Sequence, residues 1–278
     1  MHIVKGEITI MNEMSHVGRI YIHGVGVDRL SFDGARERVC SLLSEPCDCP
    51  AAVFTPNAEM IYRAARDGRL AALLNSGDIN TADGIGTVWA ARRLGTPLSG
   101  RVAGIELGEA ALRFAAERGL RVFLLGGKPA QGDLPGVADR AAARLRDRFP
   151  TLNICGTHHG YFESNSAEEQ ALLERIRATS PHLLVVCLGF PRQERWIMEN
   201  RDELGCVRVA MALGGSLDVW SGSVRRAPAM IRAAHLEWAW RILRDPRRLK
   251  RAAALPAFVG LTIKTARSDR RRLADARK

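Results

Sequence analysis

No stretch of this 278-residue chain approaches the roughly 18 consecutive apolar residues that a membrane-spanning helix needs. The longest candidate, 252–263, is interrupted by Pro256. An apolar signal-peptide core is also missing from the opening Met1-His-Ile-Val-Lys-Gly-Glu, so a cytoplasmic protein is expected. Cysteine is sparse, with 6 residues, which fits a reducing compartment. Cys47-Asp48-Cys49 has one intervening residue where zinc and redox motifs want two. Cys155, Cys187 and Cys206 lie in or beside apolar runs and read as small buried hydrophobes. The histidine pair His158-His159 has no acidic or cysteine partner at ligand spacing and reads as loop surface.

What the chain does have in excess is positive charge, and it is concentrated. The net charge is +11, yet residues 241–278 alone carry 13 Lys or Arg against three acids. The first 240 residues hold 28 basic and 27 acidic side chains, a nearly neutral body with a cationic tail. Such a tail suits nucleic acid or an anionic membrane, each basic residue near anionic lipid being worth about 1 kcal/mol. Aromatic interleaving, which single-strand binding would use, is limited to Phe258 within the tail and Trp240 just before it. A membrane surface is therefore the expected partner, and nucleic acid the alternative.

Apolar runs and amphipathic stretches alternate along the body. Arg19–His23 reads as a first strand, and Asp33 opens a helix with apolar residues at helical spacing. Strands follow at 51–54, near 79, and at 121–125, 152–155, 183–188 and 207–213, with helices at 58–74, 85–94, 104–118, 136–148 and 168–178. Alternation of this kind predicts a Rossmann-like α/β fold, a parallel sheet covered by helices on both faces. After Pro228 the chain reads as helical and basic, with no strand signal. The expected organisation is an unassigned extension (1–18), an α/β core (19–227) and a basic helical appendage (228–278).

Three strand-like runs end abruptly in polar turn clusters: Thr55-Pro56-Asn57, Asp83-Gly84, and Gly189-Phe190-Pro191-Arg192-Gln193-Glu194. In an open parallel sheet, ligands bind at the carboxyl ends of the strands, so these clusters predict one pocket built from separate loops. Read with Ala82-Asp83-Gly84-Ile85-Gly86, Arg101-Val102-Ala103-Gly104, Arg226-Ala227-Pro228 and the block from Leu236 to Arg248, the ordered set resembles the WecG/TagA/CpsF glycosyltransferase family. The resemblance runs from about residue 20 to about residue 250. It implies transfer of a sugar from a UDP-sugar to a polyprenyl-diphosphate-linked saccharide, with inversion at the anomeric carbon. It also implies a role in cell-envelope polysaccharide synthesis at the inner face of the plasma membrane. The donor it implies is UDP-N-acetylmannosamine or a relative; the acceptor glycan and any homo-oligomer are left open.

Asp83 is the candidate general base, because inverting transfer needs a group to take the acceptor hydroxyl's proton. A glycine-flanked carboxylate can approach a substrate closely; the competing reading is a plain helix cap. The resemblance favours the base. Thr55 and Asn57 are candidate substrate-binding residues, or ordinary turn formers around Pro56. Arg101 offers five fixed donors suited to a diphosphate, and Gln193 corresponds to an active-site glutamine in the family. Two glycine turns, Gly126-Gly127 and Gly214-Gly215, are candidate phosphate cradles. The first is followed by what reads as a short insertion, residues 130–135, that displaces the helix start. An Asp-x-Asp pair that would hold UDP through a metal is absent, so no metal or other cofactor is expected. Arg241, Arg244, Arg247 and Arg248 would then stabilise the departing UDP. A nucleotide-dependent oxidoreductase is the alternative, but it would need a complete glycine fingerprint with an acidic residue about 20 positions on, and the chain lacks one.

Overall fold

In the computed structural model, residues 18–228, 230, 231, 240 and 254–275 are described. In chain order the elements are β1 (Arg19–Ile22), β2 (Val25–Asp28), α1 (Phe32–Ser44), β3 (Ala51–Phe54), α2 (Ala58–Ala64), α3 (Gly68–Asn75) and β4 (Ile79–Asn80). Next come α4 (Ile85–Arg93), α5 (Gly104–Glu117), β5 (Arg121–Gly126), α6 (Val137–Arg148), β6 (Asn153–His158), α7 (Ala167–Thr179) and β7 (Leu183–Cys187). The last are α8 (Arg192–Glu199), a 3₁₀ turn (Arg201–Leu204), β8 (Val209–Ala212), α9 (Ser216–Trp220) and α10 (Ala254–Asp275).

These elements form two compact units. One takes in the described chain up to Phe32, Pro56–Val102 and the described residues from Met230 onward. The other takes in Asp33–Thr55 and the described residues of Ala103–Ala229. The second unit holds parallel strands in the order β3-β8-β7-β5-β6, flanked by helices. Every residue of β7 and β8 is buried, as expected of central parallel strands covered on both faces. Phe54, Phe123, Leu125, Leu184 and Val186 pack there with Leu172, Leu173 and Ile176 of α7 and with Trp196 and Ile197 of α8. The expected α/β, Rossmann-like class is the observed one.

Cys187 ends β7 buried, and burial pushes its thiol up to about 12. It therefore behaves as a packing residue and not as a nucleophile. Cys155 and Cys206 pack against the same core while remaining partly exposed, so the expectation of a buried thiol holds for Cys187 alone of the three.

The first unit departs from the sequence reading in two places. Strand β1 does not stand alone but pairs antiparallel with β2. His23 and Gly24 turn the chain with φ of 50° and 85°, the doubly positive backbone of a tight hairpin. The expected single helix over 58–74 is two, because Asp67 breaks the run and caps α3 by accepting the Arg69 N–H at 2.9 Å. Helix α10 carries Pro256 in its first turn, where no N–H is needed. It buries Phe258, Thr262 and Ala266, one residue per turn, and packs against α2 and α4. No described helix is long and apolar enough to cross a membrane.

Candidate active site

In the first unit, the hairpin supports the residues that lead to Asp83. Arg19 Nε donates to Asp28 Oδ1 at 2.6 Å, and the two side chains are 4% and 10% exposed. The other carboxylate oxygen of Asp28 accepts the Asn80 N–H at 2.7 Å. Arg19 also reaches the carbonyls of Gly77 and Asp78, both at 3.2 Å. Asn80, fully buried, donates its amide to the carbonyls of Gly26 and Leu74. A buried ion pair is costly to break, since removing one partner strands the other. This pair anchors the 77–80 segment and thereby positions the turn that follows.

The turn itself is stitched to both neighbouring loops by main-chain bonds. Asp83 N–H donates to the Pro56 carbonyl at 3.2 Å, and Val102 N–H donates to the Ala82 carbonyl at 2.9 Å. The loops bearing Asn57, Asp83 and Arg101 are therefore held together as one group within this unit. The N-cap of α4 is Gly84, at φ 96°, and no side chain caps that helix. A left-handed φ of that size is one that glycine alone adopts freely. The simple cap reading of Asp83 is thus not how this helix starts. Asp83 stands one residue outside the cap, half-buried. Asn57 does serve its turn: its Oδ1 accepts the Met60 N–H at 3.1 Å and caps α2. Arg101 is half-buried in the loop before α5.

In the second unit the polar residues are spent differently. Gln193 is 3% exposed, and its Oε1 accepts two N–H groups, from Gly189 at 3.2 Å and Gly214 at 2.9 Å. Its Nε2 donates to Glu194 Oε1 at 2.8 Å, and Glu194 is 0% exposed. Gln193 thus clamps the β7–α8 loop to the β8–α9 loop, and the Gly214 N–H that was a candidate phosphate donor is held by it. Gly215 caps α9, which is only five residues long. Thr55 is buried, donates to the Ala212 carbonyl at 3.4 Å and lies against Gly104, where a Cβ would meet its hydroxyl at 2.9 Å.

Gly126 and Gly127 are glycine for reasons of space as well as backbone. Both have positive φ, and a Cβ would overlap the Cys187 carbonyl at the first and the Val137 side chain at the second. Gly127 accepts the Gly160 N–H at 2.9 Å, joining the ends of β5 and β6. The segment 130–135 closes on itself through paired Gln131–Leu134 backbone bonds, and α6 begins at Val137. Arg226 pairs with Glu106 of α5 at 2.5 Å. Arg241, Arg244, Arg247 and Arg248 lie outside the described residues.

Two features escaped the sequence reading. Glu194 was visible only as part of a motif, and nothing in its spacing marks a wholly buried carboxylate. His158 and His159 do have an acidic partner, Glu168, brought to 3.7 and 3.4 Å from their Nε2 atoms by the start of α7. That corrects the expectation of an unpartnered loop pair: the partner is nine or ten residues away, and a turn into a helix returns it.

The motif-bearing turns of this α/β chain have a match among known proteins. The model of the Glycosyl transferase WecG/TagA/CpsF family matches residues 20–272. The chain belongs to that family. Similar curated proteins include the N-acetylglucosaminyldiphosphoundecaprenol N-acetyl-beta-D-mannosaminyltransferases of Staphylococcus aureus strains MW2, NCTC 8325 / PS 47 and COL. Each is 31% identical over 249 residues, covering 90% of this chain and 94% of the relative. Membership of the WecG/TagA/CpsF family makes this chain a glycosyltransferase, and it does not favour the oxidoreductase or nucleic-acid readings.

Proposed function

We propose that this glycosyltransferase moves N-acetylmannosamine or a closely related hexose from a UDP-sugar to a polyprenyl-diphosphate-linked N-acetylglucosamine. The observation that carries the reading is the Asp83 turn. A carboxylate stands outside the cap of α4, on a backbone held to the Pro56 and Ala82–Val102 segments, in a chain that shares its family with the mannosaminyltransferases above. In this mechanism Asp83 accepts the proton of the acceptor hydroxyl as that oxygen bonds the anomeric carbon. The bond from that carbon to UDP breaks on the opposite face, which inverts the configuration. Proton transfer by a positioned base is worth roughly 10²–10⁴-fold. Asn57 and Arg101, on the loops tied to Asp83, are assigned to the substrate. Gln193 is assigned to holding its loops in register.

No metal is assigned a part in the transfer. The arginines at 241, 244, 247 and 248 are assigned the charge of the departing UDP, since cationic side chains stabilise developing negative charge. The basic C-terminal segment is assigned peripheral attachment to an anionic membrane, where the acceptor lipid resides. The deciding assay measures UDP release and lipid product across a panel of UDP-sugars, with a polyprenyl-diphosphate-N-acetylglucosamine acceptor. Turnover with UDP-N-acetylmannosamine, retained in EDTA, is the expected outcome. Turnover with none of the panel, or a requirement for added Mg²⁺ or Mn²⁺, overturns the respective part. Binding to anionic liposomes should weaken as salt rises. Salt-independent binding would count against an electrostatic attachment.

A further inference from the structure

We propose that His158, His159 and Glu168 form a site for a borderline transition-metal ion of the Zn²⁺ class, clipping the end of β6 to the start of α7. One ligand atom from each of the three residues lies within 4.8 Å of the other two. A tetrahedral zinc site with bonds near 2.0–2.1 Å sets its ligand atoms roughly 3.3–3.4 Å apart. Glu168 Oε1 lies 3.4 Å from His159 Nε2 and 3.7 Å from His158 Nε2, already close to two such edges. Two imidazoles and one carboxylate make a ligand set suited to this class of ion.

The surroundings bear on each ligand. The Nδ1 of His158 is 2.8 Å from the His159 carbonyl, an acceptor only, so Nδ1 carries the proton and Nε2 presents its lone pair. A carbonyl behind the far nitrogen is the usual support of a metal-bound histidine. His159 is less ready: its Nδ1 accepts the Tyr161 N–H at 3.3 Å, and binding through Nε2 requires it to give up that long bond. Glu168 is exposed in the first turn of α7, while its neighbour Glu169 fastens the same loop by accepting the Asn165 N–H at 2.5 Å. The loop is thus pre-formed. Both histidines also border a cavity of about 350 Å³, shared with Lys128, Asp139, Thr157 and Arg175, which leaves room for a fourth ligand. With Lys128 and Arg175 nearby, that ligand would be a water, a hydroxide or a small anion.

The test uses tag-free, metal-stripped full-length protein, so that no added histidines compete. Zn²⁺ titration by calorimetry should show one equivalent bound. Affinity should fall at least tenfold in Glu168→Gln and be lost in the doubly substituted His158→Gln, His159→Gln protein, with circular dichroism of both variants unchanged. Co²⁺ should give tetrahedral d–d bands without a sulfur-to-cobalt charge-transfer band. Zn²⁺ should also raise the melting temperature of the unmodified protein and not that of the double variant. No uptake overturns the proposal, as does uptake unaltered by these substitutions. A charge-transfer band would assign the metal to cysteine instead and equally overturn it.

Discussion

The two units treat their motif side chains in opposite ways. In the first, Asp83 is placed by main-chain bonds and by a distant buried ion pair, while glycine takes the cap position beside it. In the second, Gln193 and Glu194 are themselves buried and bonded to the scaffold and to each other. In the proposed mechanism Asp83 exchanges a proton, and such a carboxylate must stay near solvent and substrate; Asp83 is half-buried. A glutamine that clamps two loops must instead be desolvated, where each bond counts for more. Under the proposed mechanism, residues from one family signature therefore divide into a group that reacts and a group that holds.

The largest effect should come from the reacting side. Asp83→Asn keeps shape and main-chain bonds while removing the proposed base, so turnover should fall roughly 10²–10⁴-fold with melting temperature nearly unchanged. Steady-state kinetics alongside thermal unfolding reads both, and near-normal turnover in folded protein would erase the contrast. Next comes the scaffold behind that turn. Asp28→Ala strands the Arg19 guanidinium and the Asn80 N–H, and losing one partner of a buried pair costs about 3–5 kcal/mol. Chemical denaturation should record that loss; a change within experimental error would mean that the pair does not anchor the 77–80 segment.

A smaller change is expected on the holding side. Gln193→Leu leaves the Gly189 and Gly214 N–H groups without their acceptor, at about 1–3 kcal/mol. Unlike Asp83→Asn, this variant should lose stability as well as turnover. If it lost turnover alone, Gln193 would belong with the reacting group.

Acidity should produce the mildest effect, and in both units. Burial lowers the pKa of His23 in the first unit and of His158 and His182 in the second. Where folding depresses a histidine's pKa, the unfolded chain binds the proton first. The stability linked to these groups is therefore complete above their ordinary value of 6.5. It is lost as pH falls from there through the lower folded-state values. Melting temperature should drop between pH 7.5 and pH 5, and His23→Gln should flatten part of that drop. His23 Nε2 lies 2.9 Å from Thr262 Oγ1 of α10, so the same substitution reports on how that helix is held.

Much of the fold was legible because period and punctuation act locally. Continuous apolar runs at 51–54, 122–125 and 183–188, each stopped by glycine or proline, became buried parallel strands. The hairpin was missed because its turn, His23-Gly24, lacks the usual Asn-Gly or Asp-Gly pair. The break between α2 and α3 was missed because apolar spacing continues across Asp67, and only the capping bond reveals it.

By itself, the sequence determined the alternation of strands and helices through the parallel sheet, the concentration of charge at the C-terminal end and the turn clusters whose ordered spacing marks the family. These follow from short-range backbone preference and from side-chain types, which neighbouring residues alone can specify. Tertiary structure alone decided which polar groups are used up. It buried Gln193 and Glu194, spent the Asn57 oxygen on a cap, left Asp83 outside one, paired Arg19 with Asp28 behind the turn and returned Glu168 to two histidines. Hydrogen-bond partners and desolvation depend on which segments meet in space, and residues as far apart as Asp28 and Asn80 meet only when the chain has folded.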